Sequence, residues 1–274
     1  MPKIENLDDA VAVIVNAQQN KHRLELRGLG TKTALGYRPV YDDCLDVSAM
    51  RGIIDYQPEE LVLTVRAGTA LSVIEAELTK ANQMLAFEPA DLSRILTAKS
   101  TGTIGGVLAT NLSGPRRLTA GAARDFLLGF DAVSGRGERF KSGGRVMKNV
   151  TGYDLSKLIC GSYGTLAVVD EVTIKTLPRP ETSLSLLFGC DDMKSAVAQI
   201  AAIFASPHEP GAAAILPQTL AANAGLDMAE AMIVVIRLEG IALSVEDRAM
   251  NLRHMGRTNR GGVVDTLPQV ASET

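Results

Sequence analysis

Thirteen of the 25 glycines in this chain fall between Gly102 and Gly164, a stretch under a quarter of its 274 residues. Glycine costs backbone entropy, so clustering on this scale implies turns with positive φ or close approach of backbone to another group. Ile, Val, Leu and Phe are interleaved with these glycines at strand and helix spacings, which separates the stretch from a low-complexity linker. The middle of the chain therefore has to form tight loops carried by ordinary secondary structure.

The length is enough for about two domains at roughly 100–200 residues each. Apolar residues make up 46% and charged residues 22%, which excludes disordered, collagenous and coiled-coil classes. Lys plus Arg is 28 against 31 for Asp plus Glu, a net charge of −3, and this argues against a nucleic-acid partner. Cys44, Cys160 and Cys190 are far apart and form no CxxC pair. They read as buried thiols in a reducing cytoplasm, with no disulfide framework and no zinc site. The polar N-terminus, with Asp8 and Asp9 close behind, is neither a signal nor a transit peptide. The longest apolar stretch, near Met232 to Ile236, falls far short of the roughly 20 residues of a membrane span. The expectation is a soluble cytoplasmic protein with no direct membrane insertion.

Along the chain, Leu7, Ala10, Val11, Ile14 and Val15 share one helical face over 7–19. A strand over Arg23–Arg27 runs into Gly28-Leu29-Gly30-Thr31-Lys32-Thr33, and strands follow around Cys44–Val47 and Leu61–Val65. Gly68-Thr69 opens a helix from Ala70 to about Asn82, with Thr69 as its expected N-cap. Thr103-Ile104-Gly105-Gly106 enters a short helix, Phe126–Val133 alternates like a strand, and Ser134-Gly135-Arg136-Gly137 turns it back. Val168–Leu177 is a strand ended by Pro178, and Pro178-Arg179-Pro180 is the best domain boundary. Beyond it come a strand over Leu184–Phe188, a helix over Met193–Phe204 and a strand over Met232–Glu239. After about Met250 the chain turns polar through Thr258-Asn259-Arg260-Gly261-Gly262, so this last region is expected to lack a full core.

Gly28-x-Gly30 after a strand fails as a dinucleotide fingerprint, because Thr33 stands where the third glycine belongs and no helix follows. It fails as a Walker A loop because Thr31 separates Gly30 from Lys32. A Gly-rich turn flanked by Arg27 and Lys32 still makes an anion cradle, with an ordinary tight turn as the alternative. Ser100-Thr101-Gly102-Thr103-Ile104-Gly105-Gly106 offers hydroxyls and unshielded amides ahead of a helix, suited to a diphosphate. Two such loops in adjacent α+β units predict one ligand lying between them. Lys148-Asn149-Val150-Thr151-Gly152-Tyr153-Asp154 is a further, weaker cluster, and Arg94, Arg116, Arg117 and Lys148 are cations whose default place is the solvated surface.

Taken together, Arg27–Lys32, Val65–Thr69, Thr103–Gly106, Asn111–Arg116, Arg124-Asp125 and Gly161–Leu166 resemble, in order, the flavin-binding domain of the vanillyl-alcohol oxidase family. This is the type-2, or PCMH-type, FAD-binding fold. Within it, Gly114–Arg117, Lys148–Asp154 and Lys157–Gly161 are most similar to the flavin subunits of bacterial glycolate oxidases. The resemblance implies an α+β chain: an FAD-binding domain over 1–177, in two subdomains of about 1–83 and 84–177 that sandwich FAD. An incomplete α+β cap domain over 181–274 would follow, since such proteins continue well past this length.

The resemblance implies that Arg27, Gly28, Leu29, Gly30, Thr31 and Lys32, with Thr101, Gly102, Thr103, Gly105 and Gly106, take the pyrophosphate. Gly68 and Thr69 belong to the same cofactor set, Asn111 and Asp125 help fix it, and Gly164, Thr165, Leu166 and Val168 approach the isoalloxazine or adenine side. Relatives that bind FAD covalently use a His in the first loop; this loop has none, so noncovalent FAD is expected. Related 2-hydroxyacid dehydrogenases carry a His-x-His metal pair and an acid–base His, whereas only His22, His208 and His254 occur here. No metal and no catalytic base is therefore assigned. The implied activity is FAD-dependent oxidation of the CH–OH group of glycolate or a related 2-hydroxyacid. Electrons would pass to partners, a paralogous flavin subunit and an iron–sulfur subunit, through which any membrane association would come. The alternative is a non-catalytic flavin-binding or electron-relay subunit, with the chemistry on the paralogous partner.

Overall fold

Asn6 starts the first helix by accepting from the backbone N–H groups of Asp8 and Asp9 at 2.9 and 3.0 Å, and both aspartates then occupy its favourable positive end. A computed structural model describes residues 3–37, 40–93, 95–96, 100–144, 153–226, 228–258 and 264–267. Its helix α1 (Leu7–Asn20) buries Ala10, Ile14 and Ala17, and the first two pack on Leu45, Val47, Val133 and Val168. The expected residues Arg94, Lys148–Gly152 and Asn259–Gly262 lie outside the described residues.

Next come β1 (Leu24–Arg27), β2 (Asp43–Asp46), β3 (Ile53–Gln57), β4 (Val62–Arg66), α2 (Leu71–Lys80) and β5 (Gln83–Met84). They are followed by α3 (Ile104–Thr110), α4 (Arg117–Ala120), α5 (Ala123–Phe126), β6 (Leu127–Ser134), β7 (Arg139–Gly143), α6 (Leu155–Ile159), β8 (Ala167–Lys175) and β9 (Leu177–Pro178). Strands β1 and β2 pair in parallel. A five-stranded antiparallel sheet runs β3-β4-β8-β6-β7. Because β4 pairs along its length with β8, the sheet does not break at residue 83; the pairing is non-local and leaves no local mark in the sequence. Strand β3 is absent from the sequence-based expectation, since its half-buried run Ile-Ile-Asp-Tyr-Gln carries no clean alternation.

Thr69 is not the N-cap of α2. That position is Ala70, with no side-chain cap. The buried Thr69 hydroxyl accepts from Gly52 N–H at 2.9 Å and donates to the Arg66 carbonyl at 2.6 Å, so it holds the strand ends together.

Across β4 and β8, Arg66 donates to both carboxylate oxygens of the buried Asp170, each at 2.8 Å. Replacing Asp170 by Ala strands the guanidinium and is expected to cost about 2 kcal/mol, as for hydrogen bonds to charged groups. Urea unfolding measures it, and Asp170→Asn, which keeps one acceptor, is expected to lose less.

The backbone packs as two units, Met1–Gly114 with Gly121–Pro178, and Pro115–Ala120 with Arg179–Thr274. The second contains α4, β10 (Thr182–Cys190), α7 (Met193–Phe204), β11 (Ala212–Pro217), α8 (Gln218–Asn223), β12 (Met232–Gly240), α9 (Ala242–Thr258) and β13 (Val264–Leu267). Its sheet runs β11-β12-β10-β13, antiparallel throughout. On one face Leu186, Phe188, Val234, Ile236 and Leu238 pack against Ala196 and Ile203 of α7 and against Val245, Ala249 and Leu252 of α9. The expectation of no full core here is thus corrected. A stripe of three buried residues at i, i+4 and i+7 suffices for α9, and its polar outer face hides the period.

Within this unit Arg116 is 8% exposed and donates to Glu239 Oε2 through Nε at 3.0 Å and through Nη2 at 2.5 Å. Arg237 pairs with the other oxygen of Glu239 at 3.2 Å. Arg116 is therefore no surface cation, against the expectation.

Candidate cofactor site

Strand β1 stops where Gly28 begins a turn that no partner strand follows. Among the described residues, the N–H groups from Gly28 through Ala34 have no protein acceptor. The bonds that do form use carbonyls instead: Leu35 N–H donates to Lys32 O at 3.0 Å, and Thr33 Oγ1 donates to Gly30 O at 3.2 Å. Gly30 sits at φ +69°, a conformation that exposes successive amides on one side of a turn. The result is a run of unshared donors, of which Gly28 to Thr33 line a cavity of about 530 Å³.

The second glycine loop is built differently. Ile104 N–H donates to Thr69 O at 3.0 Å, Gly105 N–H to Ala67 O at 2.8 Å, and Val107 N–H to Thr103 O at 3.1 Å. Thr103 Oγ1 takes Gly106 N–H at 3.1 Å. The amides expected to be unshielded for a diphosphate are thus committed to the protein from Ile104 onward. The loop's contribution is close approach. A Cβ on Gly28 would lie 3.2 Å from Thr103 Oγ1, and one on Gly102, at φ +99°, would lie 2.6 Å from Thr31 Oγ1 and 2.7 Å from Lys32 Nζ. The two loops pack closely here: a Cβ would be tight at Gly28, and at Gly102 the positive φ already disfavours one.

Of the residues singled out in the sequence, Arg27 through Lys32, Thr103, Gly105, Gly106, Gly164 and Thr165 come together around this cavity. Thr101 and Gly102 stand behind it, with Gly102 O accepting from Leu71 N–H at 3.0 Å. Thr69 stitches the second loop through its carbonyl, Gly68 N–H donates to Met50 O instead, and neither lines the cavity. Asn111 ends α3 at φ 51°, and its Oδ1 accepts from Arg124 N–H at 3.0 Å. Asp125 Oδ2 accepts from Ala122 N–H at 2.8 Å. Asn111 thereby ties the end of α3 to α5, and Asp125 caps α5. Leu166 and Val168 line a smaller cavity of about 200 Å³ beside α1, with His22 and Gln18.

Sequence reasoning missed Glu25, Leu108 to Thr110 and Ile159 in the lining, and it named Ser162 and Tyr163 only as part of the Gly161–Leu166 motif. The signal for Glu25 was present: it lies two residues before Arg27 on a strand and so shares its face.

The polar groups of the lining are unequal. Arg27 Nη2 donates to Glu25 Oε2 and lies 3.4 Å from Tyr41 Oη, so much of its charge is already matched. Its Nε is buried with no partner among the described residues. Lys32 is half-buried with no carboxylate in ion-pairing distance among the described residues, and its Nζ reaches Thr31 Oγ1 at 3.4 Å. Burial pulls the Lys32 ammonium below the ordinary lysine range, a shift that Asp91 only partly opposes. Cys44 and Cys160 are buried, and burial pushes the Cys160 thiol up to about 12, far from a reactive thiolate. No histidine lines the cavity among the described residues.

A cradle of unshared amides, an unneutralised ammonium beside it and a mostly apolar cavity within the roughly 300–1,000 Å³ of small-molecule sites fit a long cofactor with a diphosphate. A family model described as FAD binding domain matches residues 3–143. The glycolate oxidase subunit GlcE of Escherichia coli (strain K12) is 48% identical over 170 residues, 62% of this chain and 47% of that one. The glycolate oxidase subunit GlcD of Bacillus subtilis (strain 168) is 31% identical over 263 residues, 89% of this chain and 54% of its own. The chain thus spans about half the length of the curated relatives it matches. Among solved structures, alkyldihydroxyacetonephosphate synthase superposes with a TM-score of 0.75 at 18% identity, over 98% of this chain and 52% of that one. For p-cresol methylhydroxylase the TM-score is 0.72 at 14% identity, over 96% and 57%. At such identities the likeness is one of fold, the PCMH-type FAD-binding fold. No helix among the described residues is long and apolar enough to cross a membrane. With the family model spanning half of the sequence and the cradle lying inside it, the chain belongs to the FAD binding domain family and its cofactor is FAD.

Proposed function

We propose that this chain is the FAD-binding subunit of a complex that oxidises glycolate, or a related 2-hydroxyacid, to the 2-oxoacid and passes the electrons to partner subunits. The observation that carries the cofactor half is the run of unshared amides from Gly28 to Ala34 with the unneutralised Lys32 beside it. The 48% identity to a protein named as a glycolate oxidase subunit supports the substrate class. Similarity to two differently named subunits, GlcE and GlcD, supports assembly with a paralogous flavin subunit. An iron–sulfur subunit as the next acceptor extends that reading.

The flavin, when bound, supplies the two-electron acceptor that no side chain provides. The amides of Gly28–Thr33 and the Lys32 ammonium hold the pyrophosphate. Thr103, Gly105, Gly106, Gly164 and Thr165 form the wall beside it, while Gly68, Thr69, Thr101, Gly102, Asn111 and Asp125 keep that wall in place. Leu166 and Val168 back the wall from the α1 side. Attachment is noncovalent, since the first loop carries neither His nor Cys. The domain reading that goes with this is an FAD-binding domain over 1–177 and a cap domain over 181–274.

A second reading, an electron-relay subunit with the chemical step on the paralogous partner, is favoured by the histidines. His22, His208 and His254 are the full set, and none lines the cavity among the described residues. Anaerobic glycolate added to the FAD-loaded chain separates the two. Bleaching of the flavin band is the expected result for a catalytic subunit. A band that dithionite bleaches and glycolate leaves untouched places the chemical step on the partner.

A further inference from the structure

Glu25 is the one carboxylate in the lining of the 530 Å³ cavity among the described residues. Its side chain is 12% exposed, on the strand that feeds the amide cradle. A buried carboxylate a few residues from a diphosphate repels it, and at short range in a partly dry site the repulsion is substantial. Pairing with Arg27 Nη2 offsets that repulsion but uses a single acceptor position on Oε2. The Cys44 thiol, opposite Glu25 in the β1–β2 register, sits against the carboxylate and offers one further, weak donor. An ionised carboxylate has about four acceptor positions, so about half of the capacity of Glu25 is left over in a residue that lines the cavity. The other polar side chains of the lining are cations, which only donate, and hydroxyls, which donate and accept. Glu25 is the strong acceptor set among them.

Resting on the reading of this cavity as the FAD site, we propose that Glu25 is a specificity residue that accepts a hydrogen bond from a sugar hydroxyl adjoining the pyrophosphate. The shared chemistry is a sugar hydroxyl, and two sources exist, the adenosine ribose and the ribityl chain. Glu25 thereby favours the intact dinucleotide over a bare diphosphate. Arg27 acts beside it as a brace, and Lys32 remains the anchor for phosphate charge.

The test measures, on the purified full chain, the affinities of FAD, ADP, FMN and inorganic pyrophosphate by calorimetry, for wild type and Glu25→Gln. The expected result is that Glu25→Gln weakens either ADP or FMN about 10-fold more than pyrophosphate, the size of a lost hydrogen bond to a charged group. Loss on ADP assigns the adenosine ribose, and loss on FMN assigns the ribityl chain. Equal weakening of all four ligands reduces Glu25 to a brace for Arg27 and overturns the proposal. If the variant does not fold, wild type decides alone: 2′,3′-dideoxy-ADP binding as tightly as ADP, with ribityl-modified FMN equal to FMN, overturns it. Failure of wild type to bind FAD at all would instead strike the cofactor site, which keeps the two failures apart.

Discussion

Replacing Lys32 by methionine is expected to weaken FAD binding about 30-fold, close to 2 kcal/mol for a charge-assisted contact to phosphate, while making the FAD-free protein more stable. The two effects have one cause. Burial disfavours the Lys32 ammonium, so the folded chain releases that proton more readily than the unfolded one. The penalty is fully present below the lowered folded value and is relieved as pH rises from there to the ordinary lysine range. Removing the ammonium therefore stabilises the free protein at neutral pH, and the advantage of the variant shrinks as pH rises through that window. A bound pyrophosphate reverses the preference and stabilises the charged form, so FAD binding takes up a proton within the same window. Wild-type affinity is expected to fall as pH rises through it, and the variant's affinity is expected to stay flat there. Thermal unfolding without FAD and titration with FAD measure the pair of effects. A variant that lost stability and kept its affinity would make Lys32 an ordinary structural lysine.

Gly68→Ala is expected to cost about 3 kcal/mol, the upper part of the range for overpacking, and to abolish FAD retention. The added methyl would lie 2.6 Å from both the Val47 and the Met50 carbonyl oxygens, which are backbone and cannot swing aside. Gly68 N–H already donates to Met50 O at 2.8 Å, so the approach is a bonded contact that a Cβ would pry open. The damage reaches the site because Ala67 O and Thr69 O accept the amides of Gly105 and Ile104. Displacing 67–69 moves the wall that those residues carry. Urea unfolding and flavin retention on gel filtration give the two readouts. The milder Thr69→Val, which removes a hydroxyl bonded to Gly52 and Arg66, is expected to cost about 1–2 kcal/mol.

What the sequence made legible was the local chemistry. The turn at Gly28-x-Gly30, the helix entered through Thr103 and the hairpin at Ser134–Gly137 each carry their signal within a few residues, and they stand where the spacing placed them. The sharing of donors was not legible. Whether the amide of Gly105 is free for a ligand depends on Ala67, far away in sequence, and only the stitched pairing of 67–71 with 102–105 decides it. The same holds for Arg27, whose charge is matched in part by Glu25, a pairing that the loop's own residues do not announce. In the second unit, Val245, Ala249 and Leu252 are too thin a stripe to mark a helix in a polar stretch, yet they close the core against β10 and β12. Arg116 reads as a solvated cation from its Gly-Pro-Arg-Arg context and becomes buried only because Glu239 meets it.

The central claim, that the first glycine loop and Lys32 form an FAD cradle, is tested most directly by the visible spectrum of the full chain incubated with FAD and passed through gel filtration. The predicted result is a flavin band that co-elutes with folded protein, is released intact on denaturation, and is lost in Lys32→Met at protein concentrations where wild type retains it. A folded wild-type chain that emerges without flavin, after incubation with excess FAD, would contradict the account.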